Sequence, residues 1–142
     1  MRHGFTLLEL AGVLTLLALA TTLVLPLGQS VRERLAVNGA REDLVGLITR
    51  ARGEALRRGG SSLIIRQNPA EARIEVDGEV LHRLDLEPTW GIELMLSGGR
   101  PSAELRFDAV GLGRMAARSV TFTRGSAVAR LIISAYGRVR RE

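Results

Sequence analysis

FTLLELAGVLTLLALATTLVLPLG, residues 5–28, is the stretch on which the reading of this chain turns. Residues 10–28 run for 19 positions without a charge, and only Thr15, Thr21 and Thr22 among them are polar. As an α-helix those positions would rise about 28 Å, close to the hydrocarbon thickness of a bilayer. A helix in a soluble core is seldom apolar on every side for that length. The stretch therefore predicts a transmembrane helix over 5–28, with Glu9 as its only charge. Pro26 falls near the far end, where a kink or a stop is tolerated. A carboxylate inside an apolar membrane helix is costly and is usually paired. Cleavage after Gly4 would create a fitting partner, the new amine on Phe5. An ordinary secretory signal is the competing interpretation, with Arg2 as its basic end and Ala18-Leu19-Ala20 as its cleavage site. Against it, the apolar run continues through residues 21–27, and Glu9 stands immediately before the apolar stretch.

The leader and helix start, Arg2-His3-Gly4-Phe5-Thr6-Leu7-Leu8-Glu9-Leu10, resemble those of type IV pilins and type II secretion pseudopilins. That resemblance implies that residues 1–4 are a leader peptide. A prepilin peptidase would cut between Gly4 and Phe5 and methylate Phe5, Glu9 would assist filament assembly, and Pro26 would distort the helix. It further implies a single-pass protein of the bacterial inner membrane, held by its lipid, with the head on the periplasmic side and other pilins or pseudopilins as neighbours. Arginine counts alone point the other way, since Arg2 precedes the span while Arg32, Arg34 and Arg41 follow it.

Beyond residue 28 the chain becomes charged but keeps a helical pattern to about Arg58. Leu44, Leu47, Ile48, Ala51 and Ala55 form one apolar stripe, and Gly59-Gly60 supplies the stop. Residues 29–58 are thus expected to continue the helix as an amphipathic segment. Gly39, Gly46 and Gly53 recur on the opposite face, a bare strip that could admit neighbouring subunits at some cost in helix propensity. From residue 59 onward the pattern predicts a β-rich head, with strands over 61–67, 73–76, 80–86, 91–96, 104–107, 119–123 and 129–134. Asn68-Pro69, Asp77-Gly78 and the glycines near 98 and 111 mark turns. The expected fold class is α+β: a long N-terminal helix packed on an antiparallel sheet or sandwich. The segments 43–59, 105–111 and 132–138 resemble the GspH/FimT family, the minor members of such filaments. The resemblance implies a minor pseudopilin, foremost of type II protein secretion.

Charge is unevenly placed. All 20 basic residues are Arg, against 15 acids, net +5. Residues 61–99 carry three Arg against seven acids, whereas residues 100–142 carry nine Arg against three acids. Arg138, Arg140 and Arg141 crowd the terminus, and Gly137-Arg138-Val139-Arg140 resembles the C-terminal motif through which some FimT-like minor pilins bind DNA. On a free terminus these side chains could neutralise phosphates, so a DNA-binding minor pilin acting in DNA uptake is the alternative function. Cys is absent, which excludes thiol catalysis and Cys-ligated metal sites. The sequence has no P-loop, nucleophile elbow or His-Glu-x-x-His. Gly111-Leu112-Gly113-Arg114-Met115-Ala116 lacks the helix and acidic residue of a dinucleotide site. His82 reads as an ordinary strand residue. No enzymatic role, cofactor or metal is expected.

Overall fold

The computed structural model describes residues 6–115 and 117–142, apart from the side chains of 22–27. Gly4, Phe5 and the expected kink at Pro26 lie outside the described residues. Two compact units divide the chain, Met1–Arg32 and Glu33–Glu142. One helix, α1 (Leu7–Arg58), accounts for 52 residues. In the first unit its apolar side chains from Leu7 to Leu19 are exposed. No helix among the described residues is long and apolar enough to cross a membrane; the expected span at 5–28 also takes in residues outside them.

In the second unit α1 buries Val37, Ala40, Leu44, Leu47, Ile48, Ala51 and Ala55. The spacing of three and four residues puts them on one face, as the sequence pattern requires. The helix stops at Gly59, whose φ of 85° suits a residue without Cβ. Its N–H donates to Ala55 O at 2.9 Å.

The head has two antiparallel sheets. The first contains β1 (Gly60–Arg66), β2 (Glu71–Val76), β3 (Glu79–Asp85), β5 (Ser102–Asp108) and β6 (Gly113–Arg114), in the order β3-β2-β1-β5-β6. The second contains β4 (Glu93–Leu96), β7 (Arg118–Arg124), β8 (Ala127–Ile133) and β9 (Val139–Arg141), in the order β4-β7-β8-β9. A short helix, α2 (Leu86–Trp90), connects them. Alternation of inward and outward residues, clearest in β1, β4, β5 and β8, gives each sheet one apolar face. Leu63, Ile65, Ile74, Leu105 and Phe107 come from the first, and Val120, Phe122, Leu131 and Ile133 from the second. These residues and the α1 stripe form one continuous core.

All seven expected strands are present with shifted ends; β6, β9 and α2 were not expected. The turn at Asp77-Gly78 places both residues at positive φ, 51° and 82°, and joins Val76 to Glu79 across a two-residue hairpin. Residues 109–110 form the turn after β5 and the chain then enters β6 at Gly113, with no helix following among the described residues.

The C-terminus is not a free tail. Arg140 and Arg141 belong to β9, paired to Ile132 and Leu131 of β8. Short strands escape periodicity because three residues cannot display it. Gly39 also departs from expectation. A Cβ there would lie 2.4 Å from the Trp90 ring, so this glycine seats an indole within the subunit. Gly46 and Gly53 do have open space around the position of a Cβ.

Candidate functional site

Two places in the chain carry the sequence-derived site residues. At the start of α1, Glu9 is engaged with Thr6. Thr6 N–H and Thr6 Oγ1 each donate to Glu9 Oε2 at 2.9 Å, and Glu9 N–H donates to Thr6 Oγ1 at 3.3 Å. This is a reciprocal capping box, which satisfies donors that the first helical turn leaves without partners. Thr-x-x-Glu at positions 6–9 is the sequence signature of this box, and it gives Glu9 a partner within its own helix besides the amine expected from Phe5. Thr6 is therefore a second residue that determines where the Glu9 carboxylate sits.

At the other end, the three expected DNA-contact arginines have different surroundings. Arg141 forks onto Glu42 of α1, with Nε 2.9 Å from Oε1 and Nη2 2.9 Å from Oε2. That guanidinium holds the Glu42 carboxyl below its usual range, chiefly by hydrogen bonding. Arg41 adds a second tie from α1, Nη1 donating to Glu142 O at 3.3 Å. Arg140 is paired with the side chain of Glu142. Arg138 is exposed, and its described bond is made by the backbone, N–H to Ser134 Oγ at 3.0 Å. Two of the three cations expected to meet phosphate thus already meet carboxylates.

Other arginines of the second sheet are likewise engaged in structure. Arg118 Nη1 donates to Ser97 O at 2.6 Å, and Arg124 donates to Trp90 O. In the first sheet the buried Glu71 carboxylate, 3% exposed, has guanidinium nitrogens of Arg66 at 3.4 Å and Arg83 at 2.6 Å. This cluster ties β1, β2 and β3 together through one carboxylate. His82 lies in β3 opposite Ile74, beside the register shift between Ile74 and Glu75. Among the described residues no group of His, Cys, Asp or Glu is arranged to hold a metal.

The segment 132–138 packs against Phe107 of the segment 105–111 through Gly137, and its backbone is tied to residues 113–115, just beyond that segment. Gly113 N–H donates to Tyr136 O at 3.4 Å, and Met115 N–H donates to Ala135 O at 3.3 Å. Arg52 of α1 completes the contact: its Nη2 donates to Gly137 O at 3.2 Å, and its guanidinium lies 5.6 Å from the centre of the Phe107 ring. Gly137 has no room for a side chain, since a Cβ there would stand 2.9 Å from Phe107.

The chain has an α+β, pilin-like fold, a long N-terminal helix followed by two antiparallel sheets. The chain is similar to the type IV minor pilin FimU of Pseudomonas aeruginosa strain PAO1 in its crystal structure. The TM-score is 0.61 at 21% identity, and the match covers 77% of this chain and 90% of that one. No protein-family model and no curated protein matches the sequence.

Proposed function

We propose that the chain is a minor subunit of a type IV filament-like apparatus, foremost a pseudopilin of type II protein secretion, and acts as a structural subunit and not an enzyme. The observation that carries this proposal is the contrast between the two parts of the helix Leu7–Arg58. Its described apolar side chains from Leu7 to Leu19 are exposed, while its residues from Ala36 to Ala55 build the core of a head. Exposed leucines at that density need a partner, and either lipid or the same segment of neighbouring subunits would cover them. In this function residues 5–28 sit in the inner membrane before assembly, the head lies on the periplasmic side, and prepilin peptidase cuts after Gly4 and methylates Phe5. Glu9 would then meet the Phe5 amine of a neighbour, a pairing that is stronger away from water. The resemblance of the leader and of segments 43–59, 105–111 and 132–138 to GspH/FimT proteins supports the same conclusion, as does the FimU-like fold.

The test is intact mass after expression with and without a prepilin peptidase. The expected result is loss of residues 1–4 and gain of one methyl group only when the peptidase is present. An N-terminus at Thr21, independent of the peptidase, would replace this function with that of a secreted soluble protein. A DNA-uptake role remains the alternative, supported by exposed Arg138 and by the excess of Arg in residues 100–142. A DNA shift assay would favour it if binding were present and lost in the Arg138→Ala variant.

A further inference from the structure

The turn after β5 and the turn before β9 enclose an open cleft of about 510 Å³, lined by Arg52, Val110, Gly111, Leu112, Tyr136 and Arg138. Both walls are set by hydrogen bonds. Asp108 Oδ1 accepts from the N–H groups of Val110 and Leu112 at 3.1 and 2.9 Å. On the other wall, Gly137 N–H donates to Ser134 O at 2.9 Å, and Ser134 N–H donates to Arg138 O at 2.8 Å. Val110, Leu112 and Tyr136 stand 69%, 53% and 68% exposed on these walls.

The charge in the cleft is uncompensated. Among the described residues, Arg57, Arg58, Arg106, Arg114, Arg140 and Arg141 each have an acid within ion-pair distance. Neither Arg52 nor Arg138 does. Arg52 donates to Gly137 O and lies over the Phe107 ring, and no acid stands within ion-pair distance of it among the described residues. A half-buried guanidinium in that condition gains from an incoming anion, because a charge-assisted bond to a carboxylate is about twice as strong as a neutral one. The aliphatic walls add a second requirement, an apolar group beside the anion.

We propose that this cleft binds an acidic, apolar peptide segment of a partner protein. Arg52 and Arg138 take the carboxylate, and Val110, Leu112 and Tyr136 seat the adjoining aliphatic side chain. The volume is within the range of about 300–1,000 Å³ that suits small recognition sites. A nucleic acid fits less well, since strand binding relies on a row of cations and several stacking aromatics. Here there are two arginines without an acid partner and one aromatic ring in the lining.

The proposal is tested by calorimetric titration of the full chain, in non-ionic detergent, with an acetylated and amidated Leu-Asp-Leu-Phe peptide. The same peptide with Asn for Asp and a short oligothymidylate serve as comparison probes. The Asp peptide is expected to bind about tenfold more tightly than its Asn counterpart, the equivalent of one charge-assisted contact. Arg138→Gln and Leu112→Ser, both on exposed positions, should each weaken it by about the same factor, and Arg140→Gln should not. A circular dichroism melt of each variant checks that the head still folds. Absence of Asp-peptide binding, equal affinity for both peptides, or affinity indifferent to Arg138→Gln would overturn the proposal. So would tighter binding of the oligothymidylate that is lost in Arg138→Gln, which would assign the cleft to nucleic acid. None of these results depends on leader cleavage or filament incorporation, so they stand apart from the pseudopilin proposal.

Discussion

Gly39, Gly46 and Gly53 are indistinguishable as letters and stand in different physical situations. Beside Gly39 the Trp90 ring is fixed, because its Nε1–H donates to Asp43 Oδ2 at 2.8 Å. The ring cannot swing away without breaking that bond. In an open helix interior, replacing Gly by Ala gains up to about 1 kcal/mol. Gly46→Ala and Gly53→Ala should follow that rule and stabilise the head by about 0.5–1 kcal/mol each. Gly39→Ala should reverse the sign and cost about 1–3 kcal/mol through overpacking. Urea unfolding of the three variants measures this; a stabilised Gly39→Ala would show that the indole is not held as described.

Among the elements, the β7–β8 hairpin depends on a helix residue 93 positions away in sequence. Glu33 Oε2 accepts from Ser126 N–H at 3.0 Å and from Ser126 Oγ at 3.2 Å. Gly125, in the same turn, has φ 54°, and a Cβ there would fall 2.2 Å from Glu33 Oε1. Gly125→Ala therefore carries both a backbone strain and a clash, and should cost about 2–3 kcal/mol. Adding Glu33→Ala removes the clash but not the strain, so the double variant should be less unstable than the sum of the two single ones. Strict additivity in chemical denaturation would refute the contact. The same logic explains why β9 and α2 were illegible in sequence. Each is three to five residues long, too short to show a period, and each is held by distant partners: Glu42 for Arg141, and Asp43 and Gly39 for Trp90.

For the head as a whole, the Arg141–Glu42 fork ties the final strand to the opening helix. The Glu42 carboxyl is held below its ordinary value of 4.5 in the folded chain. Its contribution is complete above that ordinary value and is lost as pH falls through the lowered folded one. Both groups are half-exposed, so the contribution at neutral pH is small. Arg141→Gln should lower the melting temperature slightly at pH near 7, with the gap to the unmodified chain narrowing as pH falls below the ordinary carboxylate value. A gap that is unchanged in acid would mean that the fork contributes no charge pairing.

The amino-acid order determined what is local. The uncharged run from residue 10, the apolar stripe of α1, the hairpin at Asp77-Gly78 and the alternation of seven strands follow from hydropathy period and turn chemistry within a few residues of each position. The α+β class was legible for that reason. The tertiary structure decided how the charges are used. A row of arginines looks the same whether it faces solvent or carboxylates, and the partners lie about as far off as the chain allows: Glu42 is 99 positions from Arg141, and Arg52 is 85 from Gly137. Only folding brings such residues within hydrogen-bonding distance. That is why Arg140 and Arg141 of the terminal basic cluster lie paired in a strand while Arg52 and Arg138 come together at one cleft.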